Sequence, residues 1–423
     1  MRDDLEQYRL YDTIMCIDLK SFFASVECVD RNRDPMNTPL LVADTSRGGG
    51  TIVLAVSPYL KRFGVPNRLR LWEVNAKIGY MIAKPRMALY LEYSRRVFNI
   101  YLKYVSVEDL FAYSIDEAFL DLTSYMSLYQ KTAREVAKMI LDDIHSTLGL
   151  YATVGIGQNM VMAKMAMDIG AKHAPDFIAE WNYQNLAEHL WPVTELSSVW
   201  GIGRRTAKKL YTMGIYSMYD LAHYDPEKLN KLFGVRGQEL YLHAHGIDIS
   251  KVSDKYKLGE RKSYSIGQTL FHSYFNEEIA TLLWESSQEI ARRLRADNRS
   301  AATVFVYIGY SHEIGGGSIH KQIKLEQPTN DASEIFRRIN VFLQSEYQKG
   351  APVRRINIGA GGIQDFNGNQ LSLFEHYQDY HALNIAIDEL KLRFGKNAIL
   401  YGSSYTKGGT LKERNQLIGG HKL

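Results

Sequence analysis

Two apolar runs that stop at carboxylates constrain this chain more than any property of its bulk. IMCIDLKSFFASVE places Asp18 where a strand pattern, Thr13 to Ile17, hands over to a helical pattern, Phe22 to Val29. FAYSIDEAFLDL places Asp116 and Glu117 between two apolar runs, Ala112 to Ile115 and Ala118 to Leu122, which predicts a hairpin with a two-residue connection. A charged side chain at the rim of a buried strand is costly unless something pairs with it, and a divalent cation suits hard carboxylate oxygens. A hairpin tip beside the end of the Asp18 strand would bring all three acids together, so they form the candidate metal site.

The pattern continues with a helix over Lys131 to Leu148, a strand over Ala152 to Ile156 and a helix over Met160 to Ile169, which completes a split βαβ sheet in an α+β chain. An insertion, roughly Asn32 to Lys84, carries SRGGGT and a basic segment, SPYLKRFGVPNRLR, read as a helix whose Lys61, Arg62, Arg68 and Arg70 suit phosphates or simply form a solvated face. LSSVWGIGRRTAKKLYTMGI reads as an apolar helix, a Gly201-Ile202-Gly203 turn and a helix opening with Arg204, Arg205, Lys208 and Lys209. Such a helix-hairpin-helix lets glycine backbone approach a phosphate and offers helix-start N–H groups as donors. A structural αα-hairpin is the plainer alternative. After a polar stretch, Asp248 to Lys262, a second βαββαβ pattern runs from Tyr264 to Ile358 without the acids and is expected to repeat the first topology. Its Arg292, Arg293, Arg295 and Arg299 cluster at one helix end, where they suit a nucleic-acid backbone or complement the helix dipole.

Bulk charge alone would not suggest a polyanion partner. The 423 residues carry a formal net charge of +4, so binding of nucleic acid must come from local patches. The two cysteines, Cys16 and Cys28, argue for a reducing cytosol and against a disulfide scaffold or zinc site. The charged N-terminus and the lack of any run near ~20 apolar residues point to a cytoplasmic protein with no membrane partner.

DLKSFFASVE, YSIDEAFLDL, TVGIGQNMVMAKMAMDIGAK and VWGIGRRTAKKL, in this order, resemble the Y-family translesion DNA polymerases, closest in wording to the UmuC-like branch of Gram-positive bacteria. The resemblance implies a right-hand polymerase: a ferredoxin-like palm at 1–31 and 85–185, small fingers at 32–84, a helical thumb at 186–247, a linker at 248–262, a little finger at 263–362 and a tail at 363–423. It implies a DNA-directed DNA polymerase, a nucleotidyltransferase acting at low fidelity in repair and the SOS response, bound to primer-template DNA, deoxynucleoside triphosphates and two Mg2+ ions in a nucleoid-associated cytoplasmic setting. Asp18 and Asp116 match the metal-ligating aspartates, the Leu19 carbonyl a further ligand, and Glu117 the acid near the primer terminus. Phe23 matches the steric gate that clashes with a ribose 2′-hydroxyl. Lys61, with Arg62 beside it, and Lys172 match triphosphate-binding positions. Pro58 stands where many relatives have a phosphate-binding tyrosine, which leaves Tyr59 as the candidate substitute, and the Lys164-to-Lys172 spacing is one residue longer than in many relatives. Gly201, Gly203, Arg204, Arg205, Lys208, Arg292 and Arg295 are the expected DNA contacts.

Gln370-Leu371-Ser372-Leu373-Phe374 resembles the pentapeptide that binds the bacterial sliding clamp (beta). The residues beyond it read as a helix over Asp379 to Phe394 and a glycine-rich basic end, either a partner-docking segment or a disordered terminus. A recombinase filament or accessory subunits are further partners that the resemblance raises. Two other classes remain open at this stage: a catalytically silent clamp- and DNA-binding accessory protein of the same fold, and a nuclease or cyclase using the same two-metal geometry.

Overall fold

A computed structural model describes residues 5–48, 50–257, 261–366 and 380–422. The chain divides into two compact units, residues 1–258 and 259–422.

The first unit is built on a five-stranded sheet whose central strand is also its first. β1 (Ile14–Leu19) leads into α1 (Phe22–Val29). The insertion that follows holds β2 (Leu40–Val42), β3 (Ala55–Val56), the short α2 (Pro58–Arg62) and β4 (Met81–Ala83). The chain then returns through α3 (Met87–Tyr101), the hairpin strands β5 (Leu110–Ala112) and β6 (Glu117–Asp121), α4 (Ala133–Leu148) and β7 (Ala152–Gly157). α5 (Met160–Met165) and β8 (Ile178–Glu180) complete the layer, in the order β5-β6-β1-β7-β8. β1 pairs antiparallel with both β6 and β7, and Asp18 lies directly opposite Glu117.

Local chemistry explains the boundaries. Thr132 and Glu135 form a reciprocal cap that starts α4, and Gly149, at φ 65°, ends it. Val136, Ile140, Ile144 and Leu148 recur at helical spacing and are buried beneath that helix. β7 carries Gly155 and Gly157 because a helix lies flush against it: a Cβ on Gly155 would sit 2.1 Å from the Ala163 carbonyl oxygen and 2.2 Å from the Met167 nitrogen.

Three expectations change here. The basic segment is helical only over Pro58–Arg62; Gly64, at φ 79°, and Pro66 follow, and the insertion instead folds around the small sheet β3-β2-β4. The segment ahead of the glycine turn is a single 3-10 turn, Leu196–Ser198, followed by α6 (Arg204–Thr212). The stretch assigned to a linker is not loose at its start: Val252 is fully buried in a cluster with Ile14, Cys16 and Phe119.

The second unit has β9 (Ser263–Tyr274), α7 (Glu277–Ala296), β10 (Arg299–Tyr310), β11 (Ser318–Thr329), α8 (Ala332–Glu346) and β12 (Val353–Asp365). Its sheet runs β11-β10-β12-β9. The element order repeats that of the first unit, but the topology does not: the first strand is at the edge and the fourth is in the interior. The chain end also differs from a loose tail. α9 (His381–Phe394) and α10 (Leu411–Arg414) belong to this unit, and the fully buried Glu285 carboxylate accepts hydrogen bonds from the Thr410 and Leu411 backbone N–H groups, both at 2.9 Å.

Candidate active site

Alternation along β1 places Ile14, Cys16 and Asp18 on one face, opposite Asp121, Phe119 and Glu117 of β6. The inner part of that face is core, where Cys16 and Phe119 pack under Met160, Ala163 and Met167. At the rim the apolar residues give way to acids, with Asp116 in the hairpin bend between β5 and β6. The Asp116 carbonyl accepts from the Leu19 N–H at 2.9 Å, which fixes the bend against the end of β1.

Asp18 and Asp116 share a cavity of about 760 Å3 with Leu19, Phe23, Pro58, Lys61, Arg62 and Lys172. Lys20, His173 and Phe177 line it too, without a sequence signal of their own beyond the place of Lys20 two residues after the acid in the DLK triplet. Burial, and to a lesser degree Asp116 and Glu117, push the Asp18 carboxyl up to about 6 against the opposing pull of Lys172. The Lys20 and Lys61 ammonium groups move the other way, lowered first by burial and then by neighbouring cations, while Asp18 opposes the shift. Like charges crowded in this way would be relieved by a bound cation beside the acids and a bound anion beside the ammonium groups.

Glu117 does not line that cavity. Its Oε1 accepts from the Lys164 Nζ at 2.6 Å and from the Cys16 Sγ at 3.3 Å. Asp116 accepts from the Ser114 hydroxyl at 2.7 Å. Among the described residues no three His, Cys, Asp or Glu side chains form a ready-made metal-holding group. The donor set nevertheless fits a hard cation: Asp18 and Asp116 bring carboxylate oxygens to one cavity and Leu19 lines the same wall.

Phe23 lies in the first turn of α1 and stacks on the buried Tyr90 at 4.4 Å between ring centroids, whereas Phe22 is core. The Arg62 guanidinium bonds to the Met36 carbonyl. Tyr59 does not line the cavity; its ring packs on the core of the insertion and against Phe63, at 5.0 Å. Pro58 lines the wall instead.

In the glycine turn, Gly201 adopts φ 88° and its carbonyl accepts from Arg236 at 2.6 Å, while Gly203 caps α6. Arg204, Arg205 and Lys208 are exposed at the start of that helix, and Lys209 is turned back onto the Leu232 carbonyl. Trp200, one residue ahead of the turn, donates its indole N–H to the Tyr113 hydroxyl at 3.1 Å, joining the turn to the acid-bearing hairpin.

The two arginines expected on DNA from the second unit are engaged within it. Arg295 is 7% exposed and pairs with Asp388 at 2.7 Å; Arg292 pairs with Glu289 at 2.8 Å. The clamp-like pentapeptide, Gln370 to Phe374, lies outside the described residues. No helix among the described residues is long and apolar enough to cross a membrane.

Comparison with known proteins places the chain. Residues 17–168 match the impB/mucB/samB family, residues 261–373 its C-terminal domain and residues 198–248 the thumb domain of DNA polymerase iota. The chain belongs to this family, the Y-family translesion DNA polymerases, which are DNA-directed DNA polymerases. Among relatives in Bacillus subtilis (strain 168), it is 36% identical to "Putative UV-damage repair protein UvrX" over 97% of both chains. It is 34% identical to "DNA polymerase IV 2" over 96% of this chain and 98% of the relative. A solved Y-family DNA polymerase chimera, Dbh-Dpo4(243-245)-Dbh, aligns with a TM-score of 0.63 at 21% identity, covering 84% of this chain and 99% of that one, a likeness of fold.

Proposed function

We propose that the protein is an active template-directed polymerase that extends primers across damaged DNA with two divalent ions, Mg2+ being the natural pair. The observation that carries this reading is the register of β1, which sets Asp18 opposite Glu117 at the sheet rim and in one cavity with Asp116 and a group of cations. The relatives' names, a UV-damage repair protein and a DNA polymerase IV, support a repair role.

Asp18, Asp116 and the Leu19 carbonyl would hold the ions, with Glu117 near the primer end. When bound, the metal pair supplies a lowered pKa for the primer 3′-hydroxyl and charge neutralisation on the phosphates. Lys61 and Lys172 take the triphosphate, with Lys20 extending the cationic wall. Phe23, held flat against Tyr90, blocks a ribose 2′-hydroxyl. Gly201, Gly203 and the exposed Arg204, Arg205 and Lys208 grip the duplex backbone without reading bases. Gln370 to Phe374 recruit the sliding clamp.

The test is primer extension by the full chain with Mg2+ and deoxynucleotides, with and without sliding clamp. Asp116→Ala is expected to lower extension by roughly 10³-fold or more while DNA affinity is kept. Absence of extension by the unsubstituted protein, with DNA and clamp binding intact, would point to the silent accessory role instead.

A further inference from the structure

Five charged side chains, the last two of them on the cavity wall, form a run of ion pairs that alternates in sign. Glu117 meets Lys164 at 2.6 Å, Lys164 meets Asp168 at 3.1 Å, Asp168 meets Lys172 at 2.6 Å, and Lys172 reaches Asp18 at 3.7 Å. The two end members are acids of the candidate site. The three between them come from the single helical segment that lies over Cys16 and Phe119.

An uninterrupted α-helix would bring each i,i+4 pair together but let the row drift around its axis. At 3.6 residues per turn, the eight positions from Lys164 to Lys172 leave the second lysine rotated by roughly 80° from the first. The segment instead changes pitch: Met160–Met165 is α-helical and Ala166–Ala171 is a π-helix. The wider π turn rotates less per residue and removes that drift. Asp168 sits inside the π turn and Lys172 directly after it. The wider turn thus lies where it keeps Lys172 on the cavity wall. Asp168 itself does not line the cavity, whereas Lys172 does.

We infer that Asp168 is a positioning residue that aims the Lys172 ammonium at the phosphates of the incoming nucleotide and keeps it from pairing fully with Asp18. Resting on the reading of the cavity as a triphosphate site, this assigns Asp168 a role in nucleotide affinity that it exerts only through Lys172. Without Asp168, Lys172 has Asp18 as its remaining nearby carboxylate and competes there with the divalent ion. Lys164 keeps Glu117 in either case, so turnover at saturating nucleotide changes little.

The experiment measures binding of the correct deoxynucleotide to the full chain on a primer ended by a dideoxynucleotide, with Mg2+ present, so that no bond is made. Asp168→Ala is expected to weaken nucleotide binding about tenfold and to raise the half-saturating Mg2+ concentration, with DNA affinity and Tm unchanged. Asp168→Glu recovers most of the loss, and on an extendable primer KM rises while kcat stays within about threefold. The double variant with Lys172→Ala binds nucleotide no worse than Lys172→Ala alone. Wild-type nucleotide binding by Asp168→Ala, or additive losses in the double variant, would overturn the inference. If Lys172→Ala also binds as the wild type does, the cavity reading fails with it, whereas loss in Lys172→Ala alone removes only the role of Asp168.

Discussion

The two βαββαβ sheets share an order of elements and differ in the seat of the first strand. In the first unit β1 is central, flanked by the hairpin strand β6 and by β7, so Asp18 at its end has Glu117 alongside. In the second unit the equivalent strand β9 is at the edge and pairs only with β12. Among the described residues the end of β9 has β12 beside it and no hairpin bend like the one that carries Asp116. Chemistry in this fold depends on which strands are neighbours, a choice made by nonlocal pairing rather than by the elements themselves.

The sheets also treat glycine differently, and that contrast is open to attack. Gly155→Ala drives a methyl group into the helix backbone at Ala163 and Met167, so a loss of about 3 kcal/mol or more is expected in denaturant unfolding of the first unit. A variant as stable as the parent would show that α5 does not lie flush on β7. The Asp18 rim gives the next effect, with its sign fixed by the raised carboxyl. Below pH 4 the group is protonated folded and unfolded alike; as pH rises towards 6 the folded state holds its proton longer, so ionised Asp18 costs the metal-free protein stability above pH 6. Asp18→Asn should therefore raise metal-free stability at pH 7.5 by up to about 3 kcal/mol, flatten the pH 4–6 slope and abolish stabilisation by Mg2+, all read from Tm against pH. The second unit buries an acid in a helix instead, Glu285. Glu285→Ala leaves the Thr410 and Leu411 N–H groups without their acceptor, at about 1–3 kcal/mol, and should open residues 380–422 to limited proteolysis while the first unit keeps its stability. Gly359→Ala should be the mildest. The Cβ would lie 2.0 Å from the Phe305 ring, a side chain that can rotate aside, and 2.8 Å from the Tyr264 carbonyl oxygen, a looser approach to backbone than at Gly155, and a drop in Tm of a few degrees is expected.

Much of this was legible in the chain and some was not, for physical reasons. Asp18, the 116–117 pair and the succession of strands and helices are local signals, written in apolar periodicity and in charges that interrupt it. Strand order in the second unit was missed because it depends on edges that meet only after folding. Arg292 and Arg295 looked like a free basic patch, yet Glu289 lies one helical turn from the first and Asp388, 93 residues on, meets the second. The direction of the Tyr59 ring depends on the core under it. The glycine-rich chain end gave no hint that Glu285 waits for it: a buried acceptor can be recognised only with its donors in place.

The change of pitch at Ala166–Ala171 also bears on which shortening of the chain this segment would tolerate. With one residue removed there it could run as an ordinary α-helix, and the seven positions then left between the two lysines fall about 20° short of two full turns, so Lys172 would keep its bearing on the wall.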